Sequence, residues 1–154
     1  MARIFLSYQL KVALPSGAAP QTLAQIIAGS NSRVALKSIE LGPLGSTGAS
    51  APLEFDLAIQ DGAGGMENGD VNGQLVKMPP VGGETLTTTV LMYNTTTEPT
   101  TSTVQQRFSL HQQGVRVWRP LGGELLILGG VRMGLRLITQ GIAISYSVNF
   151  ELEE

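Results

Sequence analysis

The run Gly141-Ile142-Ala143-Ile144-Ser145-Tyr146-Ser147-Val148-Asn149-Phe150-Glu151-Leu152 decides the fold class. Every even position from Ile142 to Leu152 is large and apolar, and every odd position from Ala143 to Glu151 is small or polar. Successive side chains leave a pleated strand on opposite sides, so a period of two means one buried face and one wet face. The opening of the chain answers it. Ile4, Leu6, Tyr8, Leu10, Val12 and Leu14 alternate with Arg3, Phe5, Ser7, Gln9, Lys11 and Ala13. Two long half-buried strands of this kind point to an antiparallel β protein.

Working inward, Leu53, Phe55, Leu57 and Ile59 alternate with Glu54, Asp56, Ala58 and Gln60, a further strand with a wet side. Val104, Gln106, Phe108 and Leu110 repeat the pattern, after a polar connection over residues 94–103. Residues 33–41 are strand-like but mixed. Val34 and Leu36 fall on one side and Ala35, Ile39 and Leu41 on the other, which predicts contact on both faces. Residues 85–93 form a Thr-rich strand, and shorter runs follow at 115–117, 124–128 and 132–138. Residues 21–28 read two ways. Thr22-Leu23-Ala24-Gln25 matches a capping box with Gly29 as a stop, whereas Ile26-Ile27 suits a strand equally. Gly and Pro punctuate the chain at short intervals, so about eight or nine short strands succeed one another with no helix longer than two turns. The expected fold is all-β: a single-domain antiparallel jelly-roll-like sandwich spanning residues 1–154. Its first and last strands should lie side by side in one sheet. The expected core is Ile4, Leu6, Tyr8, Leu10, Val12, Leu53, Phe55, Leu57, Ile59, Phe108, Leu110, Ile142, Ile144, Tyr146, Val148 and Phe150. Residues 61–83 carry many glycines and Pro79-Pro80, and are expected as a flexible segment.

Composition narrows the function. A chain of 154 residues is large enough for one real core. Charged residues make up 14% of it, against about 25% in ordinary soluble domains. The formal net charge of −2 supplies no attractive field for nucleic acid. No apolar run is long enough for a membrane-spanning helix, and the N-terminal residues lack the continuous apolar stretch of a signal peptide. With no cysteine there is no disulfide framework and no thiolate site. With 42% apolar residues and so few charges, part of the apolar surface should be buried between subunits or against a partner.

Reactive chemistry is scarce. Serine-type catalysis needs a histidine base, and the one histidine, His111, stands near a strand end with no Gly-x-Ser-x-Gly elbow to serve. A cupin metal site needs several histidines. Asp61, Glu67, Asn68 and Asp70 lie among glycines and have oxygen ligands to offer calcium, but their spacing matches no known loop. The bland reading of that segment is a mobile loop, and its length for a compact domain also suits an arm reaching a neighbour. Glu54 and Asp56, two residues apart on the wet side of their strand, are expected to be solvated rather than a glycosidase pair. Arg116, Trp118 and Arg119 combine residue types typical of binding hot spots, the bland reading being a Trp that anchors a sheet corner under an arginine. No catalytic, cofactor-binding or metal-ligating residue is expected, and no enzyme.

An ordered set of short motifs carries a family resemblance: Arg33-Val34-Ala35-Leu36-Lys37-Ser38-Ile39-Glu40-Leu41, Pro52-Leu53-Glu54-Phe55-Asp56-Leu57, Thr97-Glu98-Pro99-Thr100, Val117-Trp118-Arg119-Pro120, Gly122-Gly123-Glu124, Gly134-Leu135-Arg136 and the closing strand from Tyr146 to Glu151. Across most of residues 33–151 the chain resembles the head decoration, or cement, proteins of long-tailed bacteriophages, including phages of thermophilic hosts. The resemblance implies a non-enzymatic homotrimer on the outer capsid surface of the virion. Its partner there is the major capsid protein lattice, which it stabilises. It implies no cofactor, nucleic-acid or membrane partner and transfers no site residue. The alternative is a carbohydrate- or receptor-binding jelly-roll module of a phage tail or fibre, built on Arg116, Trp118 and Arg119. The candidate partner contacts are those three residues with Phe5, Met66 and Met78. Phe5 falls on the wet side of its strand, and the two methionines belong to the glycine-rich segment, whose shortening over 62–73 is expected to leave the fold intact.

Overall fold

Alternation of this kind needs a second layer to cover each apolar face, and the chain supplies it by folding into two facing sheets. The computed structural model describes residues 4–13, 20–44, 52–67, 75–78, 87–94, 97–111, 114–139 and 145–154. The strands are β1 (Ile4–Ala13), β2 (Gln21–Ile27), β3 (Val34–Leu44), β4 (Leu53–Asp61), β5 (Met66–Glu67), β6 (Leu75–Met78), β7 (Thr89–Asn94), β8 (Thr100–Leu110), β9 (Arg116–Trp118), β10 (Leu125–Ile127), β11 (Arg132–Leu137) and β12 (Ser145–Glu153). Nine of them run four residues or longer. The described residues contain no helix, so residues 21–28 resolve as strand.

The first sheet has the order β10-β3-β12-β1-β6, with β9 also beside β3; the second has the order β5-β7-β2-β11-β4-β8. Every pairing is antiparallel, and β1 lies against β12 from Ile4 opposite Glu153 to Ala13 opposite Ser145, with a shift of register between Gln9 and Val12. One hydrophobic cluster joins the sheets. It takes Leu23 and Ile26 from β2, Leu36 and Ile39 from β3, Phe55 and Leu57 from β4, and Val148, Phe150 and Leu152 from β12. Each such side chain, fully buried, contributes about 1.5–3 kcal/mol. Of the expected core, Leu53, Phe55, Leu57, Phe108, Leu110, Val148 and Phe150 are buried and Ile59 is partly so. Ile142 and Ile144 lie outside the described residues. So do the side chains on β1 and that of Tyr146.

Three expectations are corrected. The mixed pattern in β3 is a phase shift within one buried face. Ser38 stands opposite Glu151 and Leu36 opposite Leu152, so Lys37 is an extra residue in a β-bulge. The extra residue moves the alternation by one, and Val34, Leu36, Ile39 and Leu41 all join the same core.

The second correction concerns the wet side of β4. Asp56 and Gln60 are 0% and 3% exposed, as are Thr22 and Gln25 on β2 at 0%. The outer face of the second sheet is covered because two connections cross it. Residues 62–65 run from β4 to β5, which pairs with β7 across the sheet. Residues 97–99 return towards β8. The two crossings are tied by Gly65 N donating to the Thr97 carbonyl at 2.7 Å. Gly64 permits their contact: it has φ +58°, and a Cβ there would lie 2.6 Å from the Thr97 carbonyl oxygen. Beneath them runs one chain of donors. Arg132 Nη1 donates to Gln25 Oε1 at 3.1 Å, Gln25 Nε2 to Gln60 Oε1 at 2.9 Å, and Gln60 Nε2 to Thr22 Oγ1 at 2.7 Å. Thr22 Oγ1 in turn donates to Glu98. All these bonds run from cation to carboxylate, so each polarises the next. Gln25 also donates to the Gly62 carbonyl at 2.9 Å. Gly134 leaves room for the Gln60 amide to lie across β11, since a Cβ there would sit 2.2 Å from its oxygen.

The segment 61–83 is therefore not a single loose loop. It contains β5, and β6 pairs with β1 from Ile4 opposite Met78 to Ser7 opposite Leu75. Residues 68–74 and 79–86 lie outside the described residues. Shortening over 62–73 would remove part of the cover of the second sheet, so the expectation of an intact fold is withdrawn.

Candidate functional site

Strands β9 and β10 both pair with β3, β9 at Ile39 to Leu41 and β10 at Val34 to Leu36. They form one broken edge strand with residues 119–124 bulging from the break. The break faces the Lys37 bulge, and Lys37 Nζ reaches Glu124 at 2.5 Å and Glu153 at 2.9 Å. Donating hydrogen bonds to these two carboxylates, Glu124 first, holds the Lys37 ammonium above its ordinary range. Along this edge the alternation that hides Trp118 and Ile127 turns other apolar residues outward. Val115 is 69% exposed, Val117 52%, Leu121 91%, Leu126 48% and Leu128 59%. Five of the six large exposed hydrophobic residues among those described therefore lie between positions 115 and 128. Exposed apolar residues gathered along a sheet edge are the kind of surface that partners cover.

Beside the ridge, β9 packs over β8 of the other sheet. The Trp118 ring stacks on Phe108 with centroids 5.6 Å apart and planes 16° apart, and Phe108 stacks on Phe55 at 5.7 Å and 18°. Trp118 is 9% exposed, so it closes this corner of the core. The Arg116 guanidinium lies 6.0 Å from the Phe108 centroid and donates to the Ser109 carbonyl. Trp118 matches the bland reading as a buried aromatic anchor at a sheet corner, but the arginine lies over Phe108 and not over Trp118 itself. Above this floor the edges of the two sheets leave an open groove of about 570 Å³, lined by Arg107, Phe108, Arg116, Val117, Trp118 and Arg119, with Leu121 at its rim.

The groove is cationic for a structural reason. Asp56 is fully buried and already held by Arg136, whose Nε donates to Oδ1 at 2.8 Å and Nη2 to Oδ2 at 2.7 Å. Arg107 approaches the same carboxylate only to 3.8 Å and keeps 59% of its side chain exposed. One anion therefore faces two cations. Arg116 spends its bond on a neutral carbonyl, and no carboxylate lines the groove.

Of the residues expected to meet a partner, Arg116, Trp118 and Arg119 come together here, and Val117, Leu121 and Arg107 join them. Met66 lies elsewhere. It is 6% exposed in β5, so it is packed within its own chain rather than offered as an anchor. Phe5 sits in β1 opposite Leu152 and Lys77, and Met78 in β6 opposite Ile4, both on the first sheet away from β9; their side chains lie outside the described residues. His111 is exposed just past the end of β8, as its position predicted. Among the described residues no group of three or more His, Asp or Glu is placed to hold a metal ion. No helix there is long and apolar enough to cross a membrane. Arg107 was missed because a single arginine on a polar strand carries no signal until the pairing of β8 with β4 places it beside an anion already neutralised. No protein-family model, curated protein or solved structure matches the chain.

Proposed function

We propose that this chain is a non-enzymatic structural component of a virion. It acts as a trimeric decoration protein that binds the outer capsid surface and stabilises the shell. The observation that carries the reading is the apolar ridge on the broken β9–β10 edge. A weakly charged chain that turns Val115, Val117, Leu121, Leu126 and Leu128 outward along one edge has a surface suited to burial in an assembly. The motif order that resembles decoration proteins supports the same role. Many copies that bind only the assembled shell stabilise it by mass action, and each needs to contribute only modestly.

The alternative, a carbohydrate-binding module, has less support. Sugar stacking needs a free aromatic face, and the Trp118 ring is buried against Phe108. Co-sedimentation with assembled capsids from the chain's own source separates the two. The decoration reading expects the protein to pellet with the shells and to raise their melting temperature. Failure to pellet, together with glycan binding lost in Trp118→Ala, would replace it with the alternative.

A further inference from the structure

We infer that the arginine-lined groove between β8 and β9 is a binding site for an extended acidic peptide segment with aliphatic side chains among its carboxylates. The inference stands on the groove alone and holds whether or not the chain decorates a capsid. Three features of the groove select this ligand over other anions.

The first is charge. Arg107, Arg116 and Arg119 converge on the groove, and no acid lines it. Asp56, the carboxylate that Arg107 approaches, is already matched by Arg136 through two short bonds. Arg119 makes no ion pair with any described residue. Guanidinium groups with unused donors suit carboxylates, which they bind through two parallel N–H donors.

The second is the nature of the apolar wall. Phe108 and Trp118 face each other and form the floor, so neither offers the free ring face that stacks on a sugar or a base. The exposed apolar surface at the groove is aliphatic instead: Val117 at 52% and Leu121 at 91%. Aliphatic walls beside arginines match alternating acidic and aliphatic side chains.

The third is the backbone. Among the described residues β8 pairs only with β4, and β9 only with β3, so each presents an edge unpaired by them where the sheets meet. An extended peptide can take main-chain hydrogen bonds from such an edge while its alternate side chains enter the groove.

The test uses the full chain and a fluorescein-labelled decapeptide of alternating glutamate and leucine, followed by fluorescence anisotropy. Comparators are an alternating lysine–leucine decapeptide, an oligogalacturonate and a single-stranded DNA 10-mer. The acidic peptide is expected to bind more tightly than all three and to weaken with added salt. Arg107→Gln with Arg119→Gln should reduce its affinity at least tenfold with the β circular-dichroism spectrum retained. Should that double variant misfold through the loss of Arg107 beside Asp56, Arg119→Glu alone answers the question, because that side chain is exposed. Unchanged affinity in the folded variant overturns the site. Tighter binding of oligogalacturonate or DNA overturns the ligand class.

Discussion

Asp56 shows most sharply what a single residue can hide. Its place among Leu53, Phe55, Leu57 and Ile59 marks it as wet, yet it is 0% exposed and held by Arg136, itself 7% exposed. A buried ion pair is expensive to form but far more expensive to break, because the surviving charge is left without a counter-ion. Asp56→Ala and Arg136→Ala should each destabilise the protein by about 3–5 kcal/mol in guanidinium titrations. The double variant should cost clearly less than the sum of the two, since it strands neither charge. Additive losses would show that the two side chains do not act as a pair. The pair was not legible in the sequence. The two residues are 80 positions apart, and only the register of β11 on β4, which sets Arg136 opposite Asp56, brings them together. By contrast, the inward residues of β4 were legible because period-two burial depends on nothing beyond the strand itself.

At the scale of elements, two kinds of feature escaped the sequence: bulges and crossings. The β3 bulge at Lys37 gave the apolar pattern two phases, which read as two buried faces until the pairing with β12 showed one. The crossings of residues 62–65 and 97–99 buried the polar side of β2 and β4, and no local pattern announces where a later connection will run. A third link lies at the end of β12, where Glu154 joins the two sheets. Its carboxylate accepts Thr88 Oγ1 at 2.8 Å, Ser32 Oγ at 3.0 Å and the amides of Thr87 and Thr88 at 3.1–3.3 Å. Burial pushes this carboxyl up, but the donors of Thr87, Thr88 and Ser32 outweigh it, and the group sits below its ordinary value of 4.5. A depressed carboxyl contributes stability that is fully present above the unfolded value and is lost as pH falls through the folded one. Glu154→Gln should therefore be less stable than the parent at about pH 6, and the difference should shrink as the pH is lowered to about 3. Thermal melts across that range measure it. A difference independent of pH would mean that the ionised form of Glu154 plays no part in joining the sheets.

For the whole molecule, the sandwich was the most legible feature, because alternation in several separate segments can be satisfied only by two layers facing each other. The candidate surface was legible in part. Arg116, Trp118 and Arg119 were singled out from their types, but the apolar ridge needed the knowledge that β9 and β10 share one edge of β3. That edge is the centre of the account: its outward apolar residues on the β10 side, with Val117, should be covered in the functional assembly, copies of the chain meeting head to tail in a closed ring, while the edge of β8 stays open to the groove. Replacing Val117 and Leu126 by glutamate puts charges on a surface already exposed in one chain, so the β fold should survive while the assembly does not. The most direct measurement is sedimentation velocity on the parent and on V117E/L126E, at equal concentration and with circular dichroism confirming the fold. The account predicts a trimer for the parent and a folded monomer for the variant. A parent that sediments only as a monomer, or a variant that remains trimeric, would contradict it.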